Sequence, residues 1–398
     1  MDKKKYFLIL YLLSFGYLKN AFTSSIFNSD VTFVLTMFWG YWGWIRYRGA
    51  NPKLIKTREV SYIVSILIFC FFVSAYIPKL YFNQPYISTL IAQRFNYVII
   101  LLLVVARIRP SESELMQPMR ICSFITLTFF VISIFNPSFF FDQEITEKIL
   151  LSRYNEKTTD IGTEVPGIYL TAFYLFYKLS IVWDSFSKKD LIECLVFLGL
   201  FIAYQNRSTL IGLLPLVVTV IYKFVKVKKT KAIFVIILIG VLSAPFLLFV
   251  FQSLSQETEE QMGMENYPRF LAINYFVIEA KDTFLKIVFG NGVWTETSDY
   301  RKLVESWSTK IFVSDIGILG TYFYYGLLPL IILYRYVFYV LFKRRIPNYL
   351  RFYSLWILIF PTIHTFLNNG ITGNILFVLY FYLVLYYKNN LHTIYINH

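Results

Sequence analysis

Arg207 stands between two apolar stretches of the chain, with Asn206, Ser208 and Thr209 as its neighbours. A guanidinium at such a junction offers a planar fork of donors suited to an oxyanion, phosphate above all. The alternative is an interfacial arginine whose head reaches to lipid headgroups. Arg269 lies near the start of an apolar stretch, Tyr267–Ala280. Two arginines converging at one mouth suit a pyrophosphate, whereas Arg269 alone beside Glu265 reads as a surface ion pair. Arg94 falls about two turns into an apolar run, where an ionisable group faces a cavity or partner, or else snorkels outward. Asp315 opens SDIGILGTYFYYGLLPL. It is a candidate general base or, with Ser314, a helix cap. Glu296, Asp299 and Glu305 rank behind it. His364, with Asn368 and Asn369 after it, reads as a packed or interfacial ring, with proton transfer the reserve reading.

The elements that must position these groups are apolar. Of 398 residues, 57% are hydrophobic and 16% charged, with 41 Phe and 32 Tyr. Soluble domains run nearer about 45–50% and about 25%, so the surplus must face lipid. Crossing about 30 Å of hydrocarbon takes about 20 residues. Twelve runs qualify: 6–24, 31–47, 60–80, 87–106, 121–139, 166–183, 190–205, 208–225, 232–252, 314–341, 349–366 and 372–387. Basic residues fall on alternate turns. They begin at Lys3, Lys4 and Lys5, recur at Arg46–Arg58, at Arg107, Arg109 and Arg120, at Lys188 and Lys189, at Lys223–Lys231 and at Lys343–Arg351, and end at Lys388. Positive charge on short loops marks the cytoplasmic side, so both termini are expected there. The formal charge of +14 is thereby assigned to anionic lipid, and nucleic acid is excluded as a partner.

The whole chain, 1–398, reads as one integral membrane domain with two longer outer segments. The first is 140–165; the second is 253–313, which carries a surface helix at Tyr267–Ala280 and a turn at Gly290, Asn291 and Gly292. Cys70, Cys122 and Cys194 all lie in apolar runs, which rules out a disulfide framework. Three scattered histidines make no metal site. The chain has no GxxxxGK[ST] phosphate loop and no D-x-D triplet, so a sugar donor, if there is one, is lipid-linked.

From about Leu191 to Leu341, the order of YQNRSTLIGLLPLVV, a long outer loop with Arg269, KIVFGNGVW and SDIGILGTYFYYGLLPL resembles the O-antigen polymerase and O-antigen ligase-like superfamily of bacterial envelope proteins. Asn206 precedes Arg207 where a serine is common, and Asp315 stands where ligases tend to carry a histidine, which favours polymerase over ligase. The resemblance implies an all-α fold of about 12 transmembrane helices with a large outer loop, similar to C-type glycosyltransferases. It implies a polymerase of surface polysaccharide (O-antigen, capsule or exopolysaccharide) in the bacterial plasma membrane. The donor would be an undecaprenyl-diphosphate-linked oligosaccharide, with no metal and no cofactor. Arg207 and Arg269, with Arg94 in support, would bind the diphosphate; Asp315, or in reserve His364, would accept the hydroxyl proton. Trp294, Tyr300 and Trp307 would stack on sugar rings. Membrane lipid, a chain-length regulator and a flippase of the same pathway are the partners expected. A flippase or transporter of the same lipid-linked sugar is the competing class, disfavoured by the lack of paired halves and broken helices; a non-catalytic scaffold is a third.

Overall fold

The computed structural model describes residues 2–19, 28–47, 57–135, 165–185, 187–203, 268–280, 282–295, 298–302, 313–343, 346–359 and 370–390, and its regular structure is all helical. The helices are α1 (Lys3–Ser14), α2 (Ser29–Arg46), α3 (Thr57–Phe82), α4 (Tyr86–Ala92), α5 (Leu101–Ile108), α6 (Glu112–Phe135), α7 (Ile168–Asp184) and α8 (Lys188–Ala203). They continue with α9 (Pro268–Ile273), α10 (Phe284–Phe289), α11 (Ile318–Tyr325), α12 (Leu327–Phe342), α13 (Asn348–Ile359) and α14 (Ile371–Asn390). A 3-10 segment, Arg94–Ile100, joins α4 to α5, and a 3-10 turn, Val313–Ile316, precedes α11. The expected spans at 208–225 and 232–252 and the outer segment 140–164 lie outside the described residues.

Local chemistry sets the helix starts. Asn28 caps α2 by accepting from the Val31 N–H at 2.9 Å. Ser111 and Glu114 form a reciprocal capping box at the head of α6, with the Ser111 N–H donating to Glu114 Oε2 at 2.7 Å and the Glu114 N–H to Ser111 Oγ at 3.3 Å.

The last helix is the centre of the bundle. From Asn374 to Leu385 every residue of α14 is buried, as an all-round apolar helix demands. It packs against the 3-10 segment, α5, α7, α1 and α12. Apolar side chains on outer helices point away from this core: Phe38, Tyr41, Tyr62, Phe69, Ile121 and Val131 are all exposed, a surface suited to lipid rather than water. Among the described residues, three helices have the length and composition to cross a membrane: Arg58–Phe82, Glu112–Phe135 and Ile371–Asn389. The bent pair Tyr86–Ala92 and Arg94–Ile108 makes a fourth if it counts as one span.

Side-chain contacts define two ends. At one, Lys3 donates to the Arg109 carbonyl at 2.9 Å, Arg107 lies over Trp44, Lys388 pairs with Glu59, and Tyr382 donates to the Pro110 carbonyl at 2.7 Å. Among the described residues, Lys3, Arg107, Arg109 and Lys388, which the sequence puts on alternate turns, therefore collect together. At the other end Arg94 meets Asp30, and Gln84 meets the backbone of Val293.

Three expectations need correction. The run 87–106 is not one straight span: it breaks at Gln93 and bends by 66°. The buried Gln93 side chain donates to the Phe71 carbonyl at 2.9 Å and to Tyr97 Oη at 3.1 Å, which anchors the bend to α3. The run 314–341 is also broken, at Gly317 (φ +52) and Gly326 (φ +76). In the run 6–24, α1 ends at Ser14 and the chain turns at Gly16 (φ +75). The stretch expected to form a surface helix is helical, and it packs Ala272, Phe276 and Ala280 against Tyr300, Val313, Ile316 and Phe323 while Ile278 stays exposed.

Candidate functional site

The turn Gly290–Asn291–Gly292 organises the end of the bundle that carries Arg269 and Asp315. Because α11 stops at Gly326, its last carbonyls have no helical partner. The Asn291 N–H donates to the Phe323 carbonyl at 2.7 Å and the Gly292 N–H to the Tyr324 carbonyl at 3.0 Å, and Ser74 Oγ of α3 also donates to Tyr324 O at 3.1 Å. Asn291 Nδ2 reaches the Ala280 carbonyl at 2.9 Å, capping the π-turn, Asn274–Glu279, that continues α9. The two chains cross so closely that a Cβ on Gly290 would strike the Tyr324 carbonyl, and one on Gly326 the Val288 carbonyl. Positive φ at both (+81 and +76) adds the reason glycine stands there.

Gln84, just beyond α3, completes the junction. It donates to Thr89 Oγ1 at 2.6 Å and to the Val293 carbonyl at 3.0 Å, and accepts from the Thr295 N–H at 3.1 Å. One buried amide thus ties the loop to the top of α3 across some two hundred residues of sequence.

These contacts bring α9, which bears Arg269, against the Val313–Ile316 turn, which bears Asp315. Ala272, Phe276, Val313 and Ile316 form the apolar contact between them. The juxtaposition is one of backbone elements. Arg207 and His364 lie outside the described residues, as do Glu296, Glu305 and Trp307.

Arg94 has a protein partner, one of the placements expected of it. It opens the 3-10 segment after the break, pairs with Asp30 at the start of α2, donates to the Ile91 carbonyl at 2.9 Å, and lies 4.4 Å from the Phe95 ring centre. Its guanidinium already has an anion. Trp294 is half-buried among Phe276, Tyr300, Phe323 and Tyr324, with ring centres 5.5 to 6.2 Å away. Tyr300 is fully buried and stacked on Phe82 at 3.9 Å, so it has no face free for a sugar. Burial also pushes its hydroxyl well above the ordinary tyrosine range. Asp299 is exposed and accepts from Lys302 at 2.8 Å; this hydrogen bond holds its carboxyl below the usual range and makes it a poor base.

A polar seam runs inward from the junction. Asn96 donates to Tyr325 Oη and accepts from Asn374 Nδ2 at 2.8 Å, all three buried. Gln93 Oε1, Asn374 Oδ1, Asn291 Oδ1 and Tyr300 Oη are buried with no hydrogen-bond partner. A second polar cluster lies at the basic end. Glu193 accepts from Tyr174 at 2.7 Å and Arg120 at 2.9 Å, and stands 3.3 Å from Lys178, which also pairs with Asp190 at 2.6 Å. Sequence reading passed over Lys178 and Glu193, although ionisable residues inside apolar runs are the signal to look for.

Among the described residues no group of His, Cys, Asp and Glu could hold a metal ion. Fold and site together define an all-helical chain, with helices fit to cross a membrane and a pinned loop gathering one arginine-bearing helix and one carboxylate-bearing turn. No family model matches the chain, and no curated protein or solved structure matches it.

Proposed function

We propose that the chain is a polymerase of bacterial surface polysaccharide, embedded in the plasma membrane by about twelve helices with both termini cytoplasmic. The observation that carries this reading is the packing of the Arg269 helix against the Asp315 turn at the end of the bundle opposite the basic one. The donor is a glycan on undecaprenyl diphosphate. A hydroxyl of a second lipid-linked repeat unit attacks the anomeric carbon, the glycosidic bond to the diphosphate breaks, and the lipid diphosphate leaves. Arg207 and Arg269 stabilise the negative charge that grows on that leaving group. Asp315 takes the hydroxyl proton, with His364 in reserve. Arg94, engaged by Asp30, takes no part, and Trp294 contributes at most one edge of its ring.

The test is the ladder of surface glycan in cells. Arg207→Ala, Arg269→Ala and Asp315→Asn, each at normal protein level, are expected to leave a single repeat unit in place of the ladder. Full ladders in all three would refute the reading.

A transporter of the same lipid-linked sugar is the second reading, and the breaks at Gln93 and Gly326 favour it, since interrupted helices line transport sites. The two separate by where lipid-linked units collect in a deletion strain: outer leaflet for a lost polymerase, inner leaflet for a lost transporter.

A further inference from the structure

At the basic end of the bundle, a pocket of about 230 Å³ opens between α2, α3 and α5, lined by Trp44, Val60, Leu103, Ala106, Arg107 and Arg109. Arg109 is the residue that terminates α5. It adopts the left-handed conformation, φ 53 and ψ 61, and its N–H closes onto the Val105 carbonyl at 2.9 Å. Glycine is the residue that takes this position without strain, yet an arginine occupies it. Its Nε and Nη1 are buried and have no hydrogen-bond acceptor. Two buried donors of a half-buried guanidinium left without an acceptor are costly.

Two carboxylates near Arg109 are taken. Glu114 accepts from the Ser111 N–H at 2.7 Å and lies 3.5 Å from Lys3. Glu59 is held by Lys388 and accepts from Tyr336 at 2.8 Å. Lys3 also donates to the Arg109 carbonyl, adding positive charge behind the pocket. On the front wall the Arg107 guanidinium lies 4.1 Å from the centre of the Trp44 ring, which orients a second cation.

We infer that this pocket binds the phosphodiester headgroup of an anionic phospholipid. Two arginines supply parallel N–H donors for one phosphate. The remaining wall adds the Ser61 hydroxyl to an apolar set, Val60, Leu103, Ala106 and the Trp44 ring, that suits the glycerol and upper acyl carbons. Beside it, Tyr41, Ile45 and Tyr62 stand exposed on α2 and α3, giving the chains a continuous path to the bilayer. A free phosphate would use the arginines and leave that wall bare. Basic pockets between spanning helices are known to take such headgroups.

The full-length protein, purified in neutral detergent, is titrated with phosphatidylglycerol, with phosphatidylcholine and with inorganic phosphate, following the melting temperature and the lipid retained in native mass spectrometry. Phosphatidylglycerol is expected to raise the melting temperature and to be retained, and the other two to do neither. Arg109→Gly removes the cation and relaxes the backbone, so the fold survives; it is expected to weaken phosphatidylglycerol retention about five- to tenfold. Arg107→Gln is expected to weaken it by a smaller factor. Equal stabilisation by phosphatidylcholine, or undiminished retention by a folded Arg109→Gly, overturns the site. Equal stabilisation by inorganic phosphate overturns the lipid as its occupant.

Discussion

The two ends of this bundle are held by different physics. At the basic end, charge is neutralised by charge at buried or half-buried positions: the buried Glu193 by Lys178 and a partly exposed Arg120, and the half-buried Glu59 by Lys388. At the opposite end, neutral amides and rings do the joining, through Gln84, Asn96, Asn291 and the cluster about Trp294. Where ion pairs do occur there, as in Arg94–Asp30 and Lys286–Asp282, the carboxylate is more than half exposed, at 57% and 59%. The lesson concerns tolerance. A charge network fails when any one member is lost, because the others remain charged in a dry place. A chain of neutral hydrogen bonds loses one unmet donor or acceptor at a time.

The largest effect is therefore expected from Glu193→Ala, which leaves the buried Tyr174 hydroxyl without its acceptor and Lys178 with Asp190 alone, beside a partly exposed Arg120. It should cost about 3–5 kcal/mol, read as a fall in melting temperature in detergent. The paired change Glu193→Leu with Lys178→Met should recover most of that loss. If the single variant melts like the parent, the charge network is not what holds this end.

Asn96→Leu probes the neutral end. It leaves the Tyr325 hydroxyl and one Asn374 donor unmet, for a cost of about 2 kcal/mol. A loss equal to that of Glu193→Ala would erase the distinction between the ends. The smallest effect belongs to Arg94→Ala, which removes an exposed pair and should cost less than about 1 kcal/mol. Raising the salt concentration should shrink the gap between Arg94→Ala and the parent while leaving that of Glu193→Ala nearly unchanged.

Much of the helical frame was legible in the sequence. The apolar runs overlap the described helices except α9 and α10, the described Lys3, Arg107, Arg109 and Lys388 lie at one end, and the glycines at 290 and 292 do mark a turn. The breaks were not legible. A hydropathy window averages over Gln93 and Arg94, which apolar residues flank on both sides, and nothing local says that the Gln93 amide bonds back to the Phe71 carbonyl of α3. Gly326 reads as a tolerated glycine until the chain crossing at Gly290 is seen. The candidate site was legible as residue types only. Arg94 was read as facing a cavity or a partner, but the partner, Asp30, stands 64 positions away and carries no local signal of the pairing. Tyr300 was read as a platform because abundance of aromatics does not distinguish packed rings from open ones. Lys178 and Glu193 were missed because each was absorbed into an apolar run, although their mutual attraction is what lets both lie there.

The crossing at Gly290 and Gly326 has a consequence for how this molecule could diversify. Both ends of the stretch between them are clamped to the same helix top, and Tyr300, Val313, Ile316 and Phe323 within it are buried, so variation there is confined to exposed positions such as Asp299. The two glycines, having no room for even a methyl group, stay as they are.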